Sequence, residues 1–254
     1  MKTFEIPLKE KDYFSKQGIK YDSFSSLALS VYQANMEFID KFQNQRILEI
    51  GCGSDSIIHE RCKSNWEGID VVEKDRHGNP SLATKFGSVH DIPFESGLFD
   101  VIIPNQSIEH WHEYGVGFKE AFDEMNRVLK ISGKIVLNFP IHLHGHKYFV
   151  RNNLDPILNQ IESSGFKINL IKCYVFDPPY KGWSFCGFPT IYVKYLSKKF
   201  LGSSRVFEIE AEKVKQIKNF KRKKLKKQKS KISKRLHHGL MVVIYSIIRK
   251  ILRK

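Results

Sequence analysis

The sequence predicts an α/β protein with a mostly parallel sheet at its centre, and two observations predict it. Between residues 46 and 200, short apolar runs alternate with amphipathic segments, the pattern that βαβ units leave in a chain. One of those runs ends in two closely spaced glycines, Gly51 and Gly53, so a buried strand passes through a tight turn into a helix. With 254 residues, 41% hydrophobic and 13% aromatic, the chain can bury one sizeable core and carry extensions, which argues against wholesale disorder.

Three regions are expected. Residues 1–45 read as a helical cap. From Ser25 to Phe42, apolar residues recur at helical spacing (Leu27, Val31, Met36, Phe38, Ile39, Phe42) behind serines able to cap. Residues 46–200 read as the sheet domain of about seven strands, the last antiparallel. Its expected strands are Arg46–Ile50, Trp66–Val72, Phe99–Pro104, Lys134–Phe139, Lys167–Tyr174 and Thr190–Leu196. Its expected helices are Ser56–Cys62, Phe118–Leu129 and Leu154–Ser163, with a turn at Lys130–Gly133 and a loop at Asp177–Trp183. Residues 201–254 read as a basic amphipathic tail.

The net charge of +15 resides almost wholly in that tail. Residues 213–254 hold 17 Lys and Arg and no Asp or Glu, against 25 Lys and Arg and 27 Asp and Glu in residues 1–212. A dense run, Lys221–Lys229, precedes Leu236, Leu240, Val243, Ile244, Ile247, Ile248, Ile251 and Leu252 at helical spacing. A basic amphipathic helix suits an anionic membrane interface. Packing on the protein itself or on a partner, and nucleic-acid binding, are the alternatives. The last is disfavoured because only Phe220 and Tyr245 interleave the charges and the body is not basic.

No segment of Met1–Lys20 resembles a signal peptide, and the apolar stretch Leu240–Ile248 is too short to span a bilayer. Cys52, Cys62, Cys173 and Cys186 form no CxxC pair and no disulfide framework. A reducing cytoplasm is expected, with the chain peripheral at the inner face of a membrane.

The strongest local signal is Ile47-Leu-Glu-Ile-Gly-Cys-Gly-Ser-Asp55. Glycines there let backbone approach a ligand, and Asp70, ending a second strand, can accept both hydroxyls of a ribose. On these residues alone, a tight turn without a ligand stays open. The order of later blocks extends the signal: Gly68-Ile-Asp70, Gly87–Phe94 with Phe99-Asp-Val-Ile-Ile103, Ser107-Ile-Glu-His110, and Glu124–Lys130 with Gly133-Lys-Ile-Val136. From Ile47 to Phe139 the chain resembles the class I methyltransferases that use S-adenosylmethionine. The resemblance implies a Rossmann-like sheet and that cofactor. It implies that Glu49, Gly51 and Gly53 line the methionine end, Asp70 binds the ribose, Ser88 and Val89 border the adenine, and Asn105 and Gln106 face the sulfonium and acceptor. Two positions depart from the family pattern: Asp55 replaces a common glycine, and Ser88 stands where an acid often meets the adenine.

Transfer to a hydroxyl is helped by a base of near-neutral pKa, which histidine provides. His144 is the first choice, with His142 and His110 as the other candidates; all lie past strands, where open α/β sheets bind ligands. A structural role for His110 and an ordinary polar loop for the others are the plainer readings. A metal site in the His142, His144, His146 run is not expected, since no carboxylate cluster accompanies it. Tyr148, Phe149, Tyr180 and Trp183 could stack on a sugar or pack as a lid.

The chain looks most like small methyltransferases of bacterial cell-surface polysaccharide assembly, such as those of lipopolysaccharide and capsule. That resemblance implies an acceptor hydroxyl or substituent on a sugar in a glycan or its precursor. An RNA or protein methyltransferase using the tail, a nicotinamide-dependent oxidoreductase sharing the glycine turn, and a non-catalytic membrane scaffold are the rival readings.

Overall fold

Strand β1 (Ile47–Ile50) forms where four consecutive residues can be buried on both faces, and all four are. That double burial is what a central parallel strand requires. The computed structural model describes residues 26–75, 77–141, 145–150, 153–177, 182–188 and 205–217.

In chain order the elements are α1 (Ser26–Phe42), β1, α2 (Ile57–Cys62), β2 (Trp66–Asp70), β3 (Lys85–Phe86), β4 (Phe99–Ile103), a 3₁₀ helix (Ile108–Tyr114), α3 (Phe118–Val128), β5 (Leu129–Ile141), α4 (Lys147–Val150), α5 (Asp155–Ser163), β6 (Phe166–Asp177), β7 (Gly182–Phe188) and β8 (Arg205–Lys213). The strands form one sheet in the order β3-β2-β1-β4-β5-β8-β6-β7. Pairings among β3, β2, β1, β4 and β5 are parallel, and β8 is antiparallel to both β5 and β6.

Helices cover the sheet on two sides. Leu48 and Ile50 pack with α3 and α5 residues such as Phe122, Met125 and Ile157. Ile47, Val101 and Ile103 pack with Phe38 and Phe42 of α1 and Ile57 and Ile58 of α2. Ser56 caps α2 by accepting the N–H of His59 at 3.2 Å.

The α/β class and its antiparallel closing strand match the expectation, but the closing strand lies elsewhere. It is β8, Arg205–Lys213, inside the segment that charge assigned to the tail; Thr190–Leu196 falls outside the described residues. Its alternation explains why it was hard to see. Phe207, Ile209 and Ala211 join the main core, whereas Glu208 and Glu210 are buried on the opposite face. Lys172 of β6 lies 3.4 Å from Glu208, and Lys134 of β5 bonds Glu210 at 2.8 Å, with Lys41 of α1 on the same carboxylate. A strand that reads as charged is thus buried because neighbouring strands supply the countercharges.

Lys213 also leaves the tail. Its buried ammonium donates to Asn126 O at 2.6 Å, Leu129 O at 2.7 Å and Gln216 Oε1 at 2.6 Å, closing carbonyls left open at the end of α3. Lys130–Gly133 is a bulge within β5, with Ser132 at φ 62°, rather than a free turn. Asp177 pairs with Gly182, so both ends of the expected loop lie in strands, residues 178–181 fall outside the described residues, and β7 adds an edge strand that takes the sheet to eight.

Candidate active site

The site is built at the carboxyl end of β1. As the chain leaves Ile50, Gly51 N–H stays bonded to Ile69 O at 2.8 Å, holding the turn to β2. Gly51 has φ +73°, and a Cβ there would lie 2.7 Å from Ser107 Cβ, so no side chain fits. Gly53, at φ +62°, has open space beside it, with no heavy atom within 4 Å of a built Cβ. Gly51 and Asp55 are both exposed, so Asp55 does not bury the bend.

Asp70, buried at the end of β2, fixes this turn. Its Oδ2 accepts Gly53 N–H at 2.9 Å and its Oδ1 accepts Val72 N–H at 3.1 Å. The β2–β3 loop holds the other side: Gly53 O accepts Leu82 N–H at 2.7 Å and Ser81 Oγ at 3.1 Å. Ser54 Oγ donates to Asp75 at 2.8 Å, and Asp75 also takes the N–H groups of His77 and Asn79 and the side chain of Asn79. Those donors hold the Asp75 carboxyl well below the usual carboxylate range.

Glu49 lies beneath the turn, 2% exposed. Its Oε2 accepts Ser56 Oγ at 2.6 Å and Trp66 Nε1 at 2.8 Å, and Asn105 Nδ2 stands 3.5 Å from Oε1. Burial pushes its carboxyl up to about 7, against these donors. A buried carboxyl poised near neutrality favours a cation placed next to it.

On the β2 side, Gly87 N–H bonds Asp70 O at 2.9 Å, which brings Ser88 beside the acid. Ser88 Oγ is 2.7 Å from His90 Nδ1, and Val89 is buried in the main core. Val71, which the sequence reading passed over, is 44% exposed directly after Asp70. An apolar side chain bared beside a strand-end acid can cover a flat ring; the signal was an apolar residue following the acid at a strand end.

On the β4 side, Asn105 bridges in parallel to Asn138 of β5. Gln106, at φ +50°, donates its N–H to Asn138 O at 2.8 Å and its side-chain amide to Asn138 Oδ1. Asn105 Oδ1 and Asn138 Nδ2 are buried with no hydrogen-bond partner among the described residues. Orphaned amide atoms beside a bare glycine turn fit a polar ligand that completes them. Ser107 Oγ donates to Ile50 O at 2.9 Å, seating the 3₁₀ helix on the turn.

That helix carries Glu109 and His110. Glu109 is 1% exposed, and burial raises its carboxyl to about 7; its backbone O takes His146 N–H at 2.8 Å, and Gly145 packs against it. Sequence reasoning missed it because a glutamate at a helix start reads as solvated. His110, half-buried, has its Nδ1 2.7 Å from Glu113 Oε1. His142 and His144 lie outside the described residues. His146 packs edge-on to Phe118, Tyr148 and His112, and burial lowers its pKa. Among the described residues no group of three His, Cys, Asp or Glu is placed to hold a metal ion.

Residues 48–137 match the family model described as a methyltransferase domain. A protein of Escherichia coli strain K12 named YafE is 32% identical over 71 residues, 27% of this chain; the match spans about a third, 32%, of that curated relative's length. Among solved structures, geranyl diphosphate C-methyltransferase from Streptomyces coelicolor, crystallised with S-adenosyl-L-homocysteine, is similar at TM-score 0.45 and 16% identity, over 72% of this chain and 79% of that one. The YcgJ protein from Bacillus subtilis aligns at TM-score 0.48 and 14% identity, over 72% and 99%. An S-adenosylmethionine-dependent methyltransferase from Methanosarcina mazei aligns at TM-score 0.45 and 16%, over 70% and 97%.

Proposed function

We propose that this chain transfers a methyl group from S-adenosylmethionine to a hydroxyl or substituent of a sugar, in a cell-surface glycan or its precursor. The observation that carries the methyl-transfer reading is the Gly51–Gly53 bend gripped by Asp70 at the carboxyl end of β2. Asp70 holds the ribose hydroxyls on the lone pairs that Gly53 and Val72 leave open. Val71 and Ser88 flank the adenine. Glu49 and Asn105 face the methionine end, where a carboxylate and an amide oxygen match an ammonium and a sulfonium. When bound, the cofactor supplies an electrophilic methyl group, so the protein's task is alignment and the exclusion of water.

The acceptor reading rests on the polar and aromatic side chains past β4 and β5. His112 and Tyr114 are exposed there, with Tyr148 half-buried beside His146, and such side chains suit a ring bearing hydroxyls. A histidine takes the acceptor proton: His144 first, His142 or His110 otherwise. His110 has its Nδ1 engaged by Glu113, which orients Nε2 as the acceptor.

Thermal-shift titration tests the cofactor. S-adenosylmethionine and S-adenosylhomocysteine should raise the melting temperature, and NAD should not; a shift with NAD alone rejects the reading. Donor-dependent methyl incorporation into nucleotide sugars or glycan precursors, against RNA and protein as controls, tests the acceptor.

A further inference from the structure

Strand β8 runs against the parallel strands, and this decides where the basic tail begins. Arg205 pairs with Ile141 at the carboxyl end of β5, and Glu212 pairs with Lys134 near its amino end. The described chain therefore finishes at Ile217 at the end of the sheet opposite Gly51, Asp70 and Asn105. This exit is anchored: Asn126 Nδ2 donates to Lys215 O at 2.9 Å, and Val214 N–H donates to Gly165 O at 3.0 Å.

The same end bears bare apolar side chains. Ile131, in the β5 bulge, is 60% exposed, and Val214, one residue past the neighbouring β8, is 52% exposed. Lys215 is exposed next to Val214, and Lys130, next to Ile131, is exposed with its ammonium on Asp100 Oδ1 at 2.7 Å. From residue 218 onward the sequence holds 15 Lys and Arg and no Asp or Glu. Covalent reach keeps Lys221, the start of the dense run, within about 15 Å of Ile217. Apolar tips flanked by lysines, with a strongly cationic segment following in the sequence, are complementary to an anionic bilayer, where lysine stems lie along apolar surface and their heads meet phosphates. A polynucleotide would match the charge but not the bared Ile131 and Val214.

We infer that the amino end of the sheet, around Ile131 and Val214, is the face that meets an anionic lipid surface, so the cofactor turn opens away from the bilayer toward an acceptor in the aqueous phase. The second half rests on the methyltransferase reading for the position of the site; the first half does not. The orientation narrows the acceptor to a water-soluble precursor, or to a glycan extending well clear of its lipid.

The test uses the full chain with vesicles of phosphatidylcholine, with and without phosphatidylglycerol. Binding should be at least tenfold tighter with phosphatidylglycerol and should weaken at least threefold in the double variant Ile131→Asp, Val214→Asp, with melting temperature checked to show that it folds. A fluorescent amino acid at position 131 should be quenched by brominated lipid, and one at the exposed position 112 should not. Quenching at 112 without quenching at 131, undiminished binding by the double variant, or tight binding to RNA with none to vesicles would each overturn the inference. Thermal shift by S-adenosylmethionine in the same samples separates the two readings: quenching at 131 without any cofactor shift leaves the membrane face standing and removes the methyltransferase assignment.

Discussion

Asp70 accepts the N–H of Gly53 at 2.9 Å, so the carboxylate proposed to hold a ribose also sets the bend above it. One side chain thereby links two binding elements. Asp70→Ala should weaken S-adenosylmethionine binding by roughly 10–100-fold, the loss expected when charged hydrogen bonds of about 1.5–3 kcal/mol are removed. Asp70→Asn should fall between, since its amide keeps one acceptor but presents a donor where two acceptors stood. Calorimetry checks both, and unchanged affinity would refute the ribose assignment.

Stability should fall as pH rises through neutrality in the cofactor-free protein. Burial lifts the carboxyls of Glu49, Glu109 and Glu208 to about 7 from an unfolded value of 4.5. A folded pKa above the unfolded one stabilises fully below about 4.5, and that stability is lost as pH climbs to about 7 and beyond. Asp75 and Glu210 are shifted the other way but ionise mostly below this window, and His59 and His146, lowered by burial, oppose the drop within it; three buried carboxyls against two partly buried imidazoles keep the net direction downward. Melting temperature should therefore drop between pH 5 and pH 8, and Glu49→Gln should flatten the drop. A saturating cationic cofactor should reduce it too, by favouring ionised Glu49; a rising melting curve over that range would contradict the burial argument.

Removing Asp75 should act on cofactor affinity and spare chemistry. It tethers Ser54 and ties the β2–β3 loop into its own turn, while that loop bonds Gly53 O through Leu82 and Ser81. Asp75→Ala should raise the cofactor KM several-fold with kcat nearly intact at saturation, and Ser54→Ala should do so more weakly. Equal losses in kcat and kcat/KM would show that the loop matters to the transition state instead.

The histidines separate by what they change. His144→Ala should lower turnover by roughly 10²–10⁴-fold with cofactor affinity kept, as for a positioned base. If His110 is the base instead, His110→Ala gives that loss, and Glu113→Gln shifts the acidic limb of the pH–rate profile. Wild-type turnover in the three single variants at positions 110, 142 and 144 would remove these three histidines from the proton transfer.

Lys213→Met should destabilise the fold by about 2–4 kcal/mol, since it strips Asn126 O and Leu129 O of a buried charged donor. Chemical denaturation measures it. A change under about 0.5 kcal/mol would mean that water replaces the ammonium and that the tail's anchor is looser than its hydrogen bonds imply.

The residues from Ile47 to Asp55 carried their own structure, because Ile47, Leu48 and Ile50 suit a strand buried on both faces and the bend demands glycine at positive φ. Asp70 and the start of α2 at Ser56 were legible for similar reasons: an acid at a strand end and a hydroxyl ahead of an apolar helix are local signals. The strand Arg205–Lys213 was not legible. Its glutamates look solvated until Lys41, Lys134 and Lys172, distant in sequence, are brought against them. Nor could charge counting separate Lys213 from the lysines that follow it, since its burial depends on carbonyls at the end of α3. The class of fold, the glycine turn and Asp70 follow from near-neighbour sterics and periodicity, so the chain alone shows them. The place and direction of β8, the burial of Glu109 and the loop that clamps Gly53 emerge on folding, because each depends on partners that lie far along the chain.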